Sequence, residues 1–123
     1  MMQIRLLTSC VLLILAGLAH GGEVSCGDLQ ADAAESATRI DGCMAERAVI
    51  GSGRLQFHSA PDRVCTMPGV FVIPGDHLIA YSEFGGFTEV MYLNPKTGND
   101  AMGWVESSRL KETGHGIANC EGE

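Results

Sequence analysis

Positive charge is scarce in this sequence of 123 residues, where eight Lys and Arg stand against fifteen Asp and Glu for a net charge of −7. From Gly22 onward, only seven basic residues remain. Nucleic acids and anionic membranes are bound largely through Lys and Arg, so this balance argues against both as partners. It is compatible with a cationic protein partner, and also with a simple role in solubility.

The sequence also lacks a clustered metal-ligand motif and a recognisable catalytic constellation. It has no C-x₂-C pair and no group of neighbouring histidines, which disfavours a zinc site. Cys65 with His58 or His77 is the one pairing that resembles a thiol nucleophile and its base. An exported cysteine is more often bridged, which removes the thiolate. We therefore expect no metal, no cofactor and no enzymatic activity.

A long apolar run occurs at the start of the chain and not again. Residues 6–18 are almost wholly apolar, follow the charge of Arg5, and precede small residues at Ala19 and Gly21. This order is typical of a secretory signal peptide, predicted here at residues 1–21, with cleavage after either small residue. The run falls short of the ~20 residues that a bilayer-spanning helix needs. We expect a periplasmic or secreted protein with no stable membrane span after cleavage.

Four cysteines remain after the predicted signal peptide: Cys26, Cys43, Cys65 and Cys120. An even number in a small exported domain predicts two disulfides, with zinc ligation as the competing interpretation. Three pairings are possible, and spacing alone does not rank them. We expect all four thiols to be oxidised.

Residues 22–47 are predicted to form a helical extension rather than a separate domain. Within residues 28–44, apolar side chains recur every three or four positions. They are Leu29, Ala33, Ala37, Ile40 and Met44. Asp28 is the expected N-cap. The stripe is thin and rich in alanine, so the helix is expected to pack on the following domain or to stay mobile until a partner binds.

From residue 48 the apolar period changes from helical to strand-like. Five short strands, separated by glycine- and proline-containing turns, predict a mainly β domain at residues 48–112 and a polar tail at 113–123. Gly85-Gly86 is the clearest hairpin signal, between strands at 77–84 and 87–93. Val90 and Val105 lie mid-strand and are predicted to face the core.

Four segments carry a resemblance to a known family. They are residues 55–62 (LQFHSAPD), 73–76 (IPGD), 85–90 (GGFTEV) and 103–105 (GWV) with Leu110. In this order and spacing they resemble the bacterial SH3-like (SH3b) family across residues 54–111. The resemblance implies a small five-stranded SH3-like barrel, here with an N-terminal helix and disulfide staples. It also implies a binding module rather than a catalyst.

The resemblance places a ligand groove between the first long loop and the middle hairpin. Phe87 matches the family's groove aromatic, and the expected contact face joins it to Trp104, His58 and Asp62. Tyr81 is expected to extend this face. The residues at the polyproline-groove positions of eukaryotic SH3 domains are Glu106 and Arg109, which argues against polyproline recognition. Burial of these aromatics in the core is the competing interpretation.

Two functions fit these features. The first is a periplasmic binding module that recognises a peptidoglycan peptide or an envelope protein. The second is a periplasmic immunity or inhibitor protein that neutralises a cell-wall-targeting toxin or enzyme. The sequence does not distinguish them.

Overall fold

The computed structural model describes residues 24–120, so the predicted signal peptide lies outside the described residues. One α-helix precedes eight strands. The helix α1 spans Cys26–Ser36, and the strands are β1 Thr38–Arg39, β2 Glu46–Val49, β3 Leu55–His58, β4 Thr66–Val72, β5 His77–Phe84, β6 Phe87–Leu93, β7 Asp100–Glu106 and β8 Leu110–Glu112.

All eight strands belong to one curled antiparallel sheet that forms a half-barrel. The strand order is β4-β3-β7-β6-β5-β2-β8, and β1 pairs with β5 beside β2. The predicted mainly β class, the N-terminal helix and the disulfides are confirmed. The strand number is eight in place of the predicted five. The three strands that the sequence does not predict are β1, β2 and β8, because segments of two to four residues are too short to show a clear period-2 alternation.

Helix α1 is shorter than predicted, ending at Ser36 in place of Met44. Its N-cap is Ser25, whose side chain accepts a hydrogen bond from the Asp28 amide at 3.3 Å. Beyond the helix the chain becomes extended, and Thr38 pairs with Glu83 of β5. The Ile40 amide then donates to the Tyr81 carbonyl at 3.0 Å. Strand pairing thus overrides the helical period of the later apolar residues.

The hairpin between β5 and β6 follows the prediction. Gly85 and Gly86 have φ values of +56° and +83°, which a two-residue hairpin turn of this hand requires at both positions. Phe84 then pairs with Phe87, so both strands have the predicted bounds. This register fixes which side chains of β6 face the core.

Strand β4 is irregular at its centre and forms one end of the sheet order. Gln56 pairs with Phe71, but the next pair is His58 with Thr66, so several β4 residues bulge out of register. The Gln56 side-chain amide fills the gap by donating to the Met67 and Val70 carbonyls at 2.6 and 2.9 Å. Pro68 lies within this bulge, where it interrupts the ladder.

Both predicted disulfides are present, and all four cysteines are used. Cys26 bonds Cys65 and Cys43 bonds Cys120, with sequence separations of 39 and 77. The first bond joins the start of α1 to the short 3₁₀ turn Arg63–Cys65. The second joins the C-terminal tail to the turn before β2.

The tail is also held by polar contacts to β2. Glu46 accepts a hydrogen bond from the Thr113 hydroxyl at 2.8 Å and pairs with His77 Nδ1 at 3.2 Å. The Thr113 bond, with a smaller effect of His77, lowers the pKa of Glu46 below its ordinary value. Within residues 24–120, no helix has the length and hydropathy needed to cross a bilayer.

The main core confirms the predicted burial of Val90 and Val105, which are both fully buried. They pack with residues from the other strands, among them Leu55, Phe57, Val72 and Leu78. Burial of these apolar side chains is the main force that favours the curled shape of the sheet.

Val90→Ala and Val105→Ala should each lower the free energy of unfolding by ~1–3 kcal/mol, because each removes buried methyl groups and leaves a cavity. Chemical denaturation measures the change. Leu93→Ala is a matched control, since Leu93 is on β6 but exposed. A loss at Val90 no larger than at Leu93 would contradict this core assignment.

Candidate functional site

Phe87 and Trp104, the expected centre of an exposed contact face, are instead buried. Only 8% of Phe87 and 1% of Trp104 is accessible to solvent. Both pack with Ala33 of α1 in a second apolar cluster, and Ala37 and Phe84 border it. The expectation of an exposed aromatic face is therefore wrong, because helix α1 covers it.

Helix α1 is held over this cluster by contacts of three kinds. The Cys26–Cys65 disulfide anchors its first residue. The small side chain of Ala33 is fully buried, which lets the helix approach the sheet closely. The Trp104 indole N–H donates to the Gln30 side-chain oxygen. The two aromatics thus form the interface between the helix and the sheet.

His58 and Asp62 have structural partners of their own. His58 is buried, and its Nδ1 lies 3.0 Å from the Trp104 carbonyl. A carbonyl only accepts, so Nδ1 carries the proton in this bond. The His58 ring also meets Phe87 edge-on, with centroids 5.2 Å apart. Asp62 caps the 3₁₀ turn by accepting from the Val64 amide at 2.9 Å.

A groove, here called the α1 groove, runs beside the helix over the outer face of the sheet. It consists of two cavities of about 270 and 310 Å³ that share Gln30, Glu89 and Met102. The first is also lined by Ser59, Met67, Gly103 and Trp104, and the second by Ala34, Ala37, Arg39, Tyr81 and Ser82. Trp104 and Tyr81 therefore border one groove, although Trp104 is almost fully buried.

Register explains how the α1 groove is built. Glu89 lies opposite Trp104 and Met91 lies opposite Met102 across β6 and β7. Side chains alternate along a strand, so Glu89 and Met91 share the outer face with Phe87. The helix covers the Phe87 end of this face. It leaves Met102 52% exposed, which gives the groove an apolar floor beside the Glu89 carboxylate.

The remaining predicted residue, Glu106, lies in a different cleft. Its carboxylate pairs with Arg63 Nε at 2.9 Å. This cleft, of about 500 Å³, is also lined by His58 and shares no residue with the α1 groove. Of the six predicted site residues, three are buried, one lines the α1 groove, one lies in this cleft and one caps a 3₁₀ turn; these are Phe87, Trp104 and His58, then Tyr81, Glu106 and Asp62 in that order.

Sequence reasoning missed Gln30, Glu89 and Met102 at the centre of the α1 groove. Glu89 could have been found, because it lies two residues after Phe87 and so shares its face. Gln30 could not, since its position depends on where the helix docks. Among residues 24–120, no three His, Cys, Asp or Glu side chains come together in a way that could hold a metal ion.

The α1 groove offers groups for binding: one carboxylate, one guanidinium, two aromatic side chains and two thioethers. Comparison with known proteins found no matching family model, no matching curated protein and no matching solved structure.

Proposed function

We propose that this protein is an exported binding module of the SH3-like kind, which recognises an extended, amine-bearing peptide of the cell envelope. The observation that carries the proposal is the position of Glu89 between the two cavities of the α1 groove. A half-buried carboxylate above an apolar floor attracts an ammonium group more strongly than a fully solvated one.

The shape of the groove supports a peptide rather than a compact small molecule. It crosses three strands, with Tyr81 on β5, Glu89 on β6 and Met102 on β7. Each cavity is large enough for one side chain. Methionine thioethers adapt to varied partners, which suits Met67 and Met102 to this floor.

Charge in the second cavity adds to this argument. Arg39 lines the same cavity as Glu89, so the groove presents one guanidinium and one carboxylate. A peptide that carries both an amine and a carboxylate complements that pair. The cross-linking peptides of peptidoglycan belong to this chemical class.

Two features support the SH3-like kind and the exported compartment. The polar 3₁₀ turn Ser107–Arg109 follows β7 and precedes Leu110, in agreement with the short polar turn before Leu110 on which the family resemblance partly rests. The two disulfides favour an oxidising compartment such as the periplasm.

Glu89→Gln should weaken binding to purified sacculi roughly tenfold or more, because it removes a charge-assisted hydrogen bond without changing side-chain volume. Met102→Ser should also weaken binding, through loss of the apolar floor. Co-sedimentation over a range of sacculus concentrations measures the affinity. All variants are checked by thermal melting.

The chain offers a matched control for each change. Glu83→Gln removes an exposed carboxylate of β5 outside the groove, and Leu93→Ser removes a side chain that is 58% exposed. If the Glu89→Gln and Glu83→Gln variants bind sacculi with the same affinity, the α1 groove is excluded as the binding site. Recovery of a lytic enzyme from a periplasmic extract, without sacculus binding, would favour the inhibitor function instead.

A further inference from the structure

A second site lies in the cleft that contains Glu106, here called the arginine cleft. Three arginines line its opening of about 500 Å³: Arg54, Arg63 and Arg109. The remaining lining residues are Leu55, Gln56, His58, Thr66 and Glu106. In a chain with a net charge of −7, this is an unusual local concentration of positive charge.

Arg109 is held firmly by the loop between β2 and β3. Its Nε and one terminal nitrogen donate to the Ile50 and Gly53 carbonyls, each at 2.7 Å. Gly51 makes this possible, since it has φ +86° and a Cβ there would lie 2.6 Å from Arg109 Nε. The guanidinium is therefore pre-positioned at the edge of the cleft.

The other two arginines are oriented by different partners. The Arg54 guanidinium carbon lies 4.2 Å from the centre of the Phe71 ring, in a cation–π contact. Arg63 is bound by the Glu106 carboxylate at 2.9 Å, although its side chain is 82% exposed. Glu106 is the one carboxylate in the lining, so the cleft keeps an excess of positive charge.

Guanidinium groups bind planar carboxylates and phosphates through paired N–H donors. The Arg63–Glu106 pair shows that this cleft already accommodates one carboxylate group. We propose that the arginine cleft binds an oxyanion, the carboxylate or phosphate group of an extracytoplasmic ligand, at a site separate from the α1 groove. Glu106 competes with that ligand for Arg63.

The test is a titration of the full mature protein with three probes. NMR signals of the backbone amides and the arginine side chains monitor binding of each probe. The probes are acetyl-alanyl-alanine as the free acid, the same dipeptide as its amide, and inorganic phosphate. Shifts should cluster around Arg54, Arg63 and Arg109. The amide measures any response to the dipeptide that does not need its carboxylate.

Variants assign the response to the cleft. Arg54→Gln and Arg63→Gln should each weaken binding roughly tenfold, since each removes a charged donor. Glu106→Gln should tighten binding, because it frees Arg63 and removes a like charge. Lys96→Gln removes a positive charge from the exposed turn between β6 and β7 and should leave binding unchanged.

The outcomes separate cleanly. Binding of the free acid but not its amide assigns a carboxylate, and binding of phosphate alone assigns a phosphate; both support the site. The proposal is overturned if neither anion binds, or if the Arg63 and Lys96 variants respond equally. It is also overturned if Glu106→Gln weakens binding while the fold is intact. None of these probes carries the amine that the α1 groove is proposed to bind. A failure to bind them therefore leaves the sacculus result standing.

Discussion

Replacing Trp104 with alanine is expected to lower the free energy of unfolding by about 3–5 kcal/mol, the largest effect of any single substitution considered for this protein. Trp104 is buried in one cluster with Ala33 of the helix and Phe87 of the sheet. Its removal leaves a cavity at that interface. It also leaves the Gln30 side-chain oxygen without its indole donor.

Denaturant unfolding followed by far-UV circular dichroism measures this loss. Trp104→Phe keeps an aromatic ring but not the N–H, so it should cost clearly less than Trp104→Ala. A loss below about 1 kcal/mol for the alanine variant, similar to an exposed position, would mean that the helix does not depend on this contact.

Removing the Cys26–Cys65 disulfide is the second large change. In the Cys26→Ala/Cys65→Ala double variant, we expect a loss of about 4 kcal/mol, because the bond closes a long loop with a sequence separation of 39. The helix is expected to detach before the rest of the fold unfolds, since its apolar stripe is thin. Trp104 would then become exposed.

The single tryptophan of the chain makes this detachment directly visible. Trp104 fluorescence should shift to longer wavelength in the Cys26→Ala/Cys65→Ala variant at temperatures where the far-UV spectrum is still native. Cys43→Ala/Cys120→Ala is the matched control, because that bond closes a longer loop away from the helix. It should lower stability without an early change in emission. The same early shift in both variants would contradict specific anchoring of α1.

The hairpin and its two strands could be predicted from sequence because their signals are local. Gly85-Gly86 specifies the turn, and the flanking apolar and β-branched residues specify β5 and β6. The burial of Val90 and Val105 follows from the same register. Strand β1 could not be predicted, since Thr38 is extended only because β5 offers it a partner.

The candidate site was harder to predict than the fold. The sequence predicts Phe87 and Trp104 as aromatic anchors for a ligand. They do anchor a contact, but they pack against the chain's own helix α1. The alanine pattern predicted the helix without indicating the surface it covers. Ala33 allows close approach because it is small, and an apolar stripe of small residues carries no information about its partner.

The disulfide pairing likewise depended on tertiary structure. Cys26 and Cys65 are far apart in sequence and meet because α1 docks beside the 3₁₀ turn at Cys65. No spacing rule contains that geometry. The α1 groove shares this origin, since one wall is the docked helix.

The bulge at Pro68 has a consequence for behaviour at high protein concentration. Strand β4 ends the sheet order of residues 24–120, and the unpaired edge of an end strand is where a strand of a second molecule can add to a sheet. Pro68 has no N–H to offer there, and the out-of-register bulge breaks the row of donors and acceptors. At the opposite edge, β8 has only three residues and carries Lys111 and Glu112. We therefore expect Pro68→Thr to promote edge-to-edge aggregation, which light scattering measures. The irregularity of β4 would then protect this edge of the sheet from adding a strand of a second molecule.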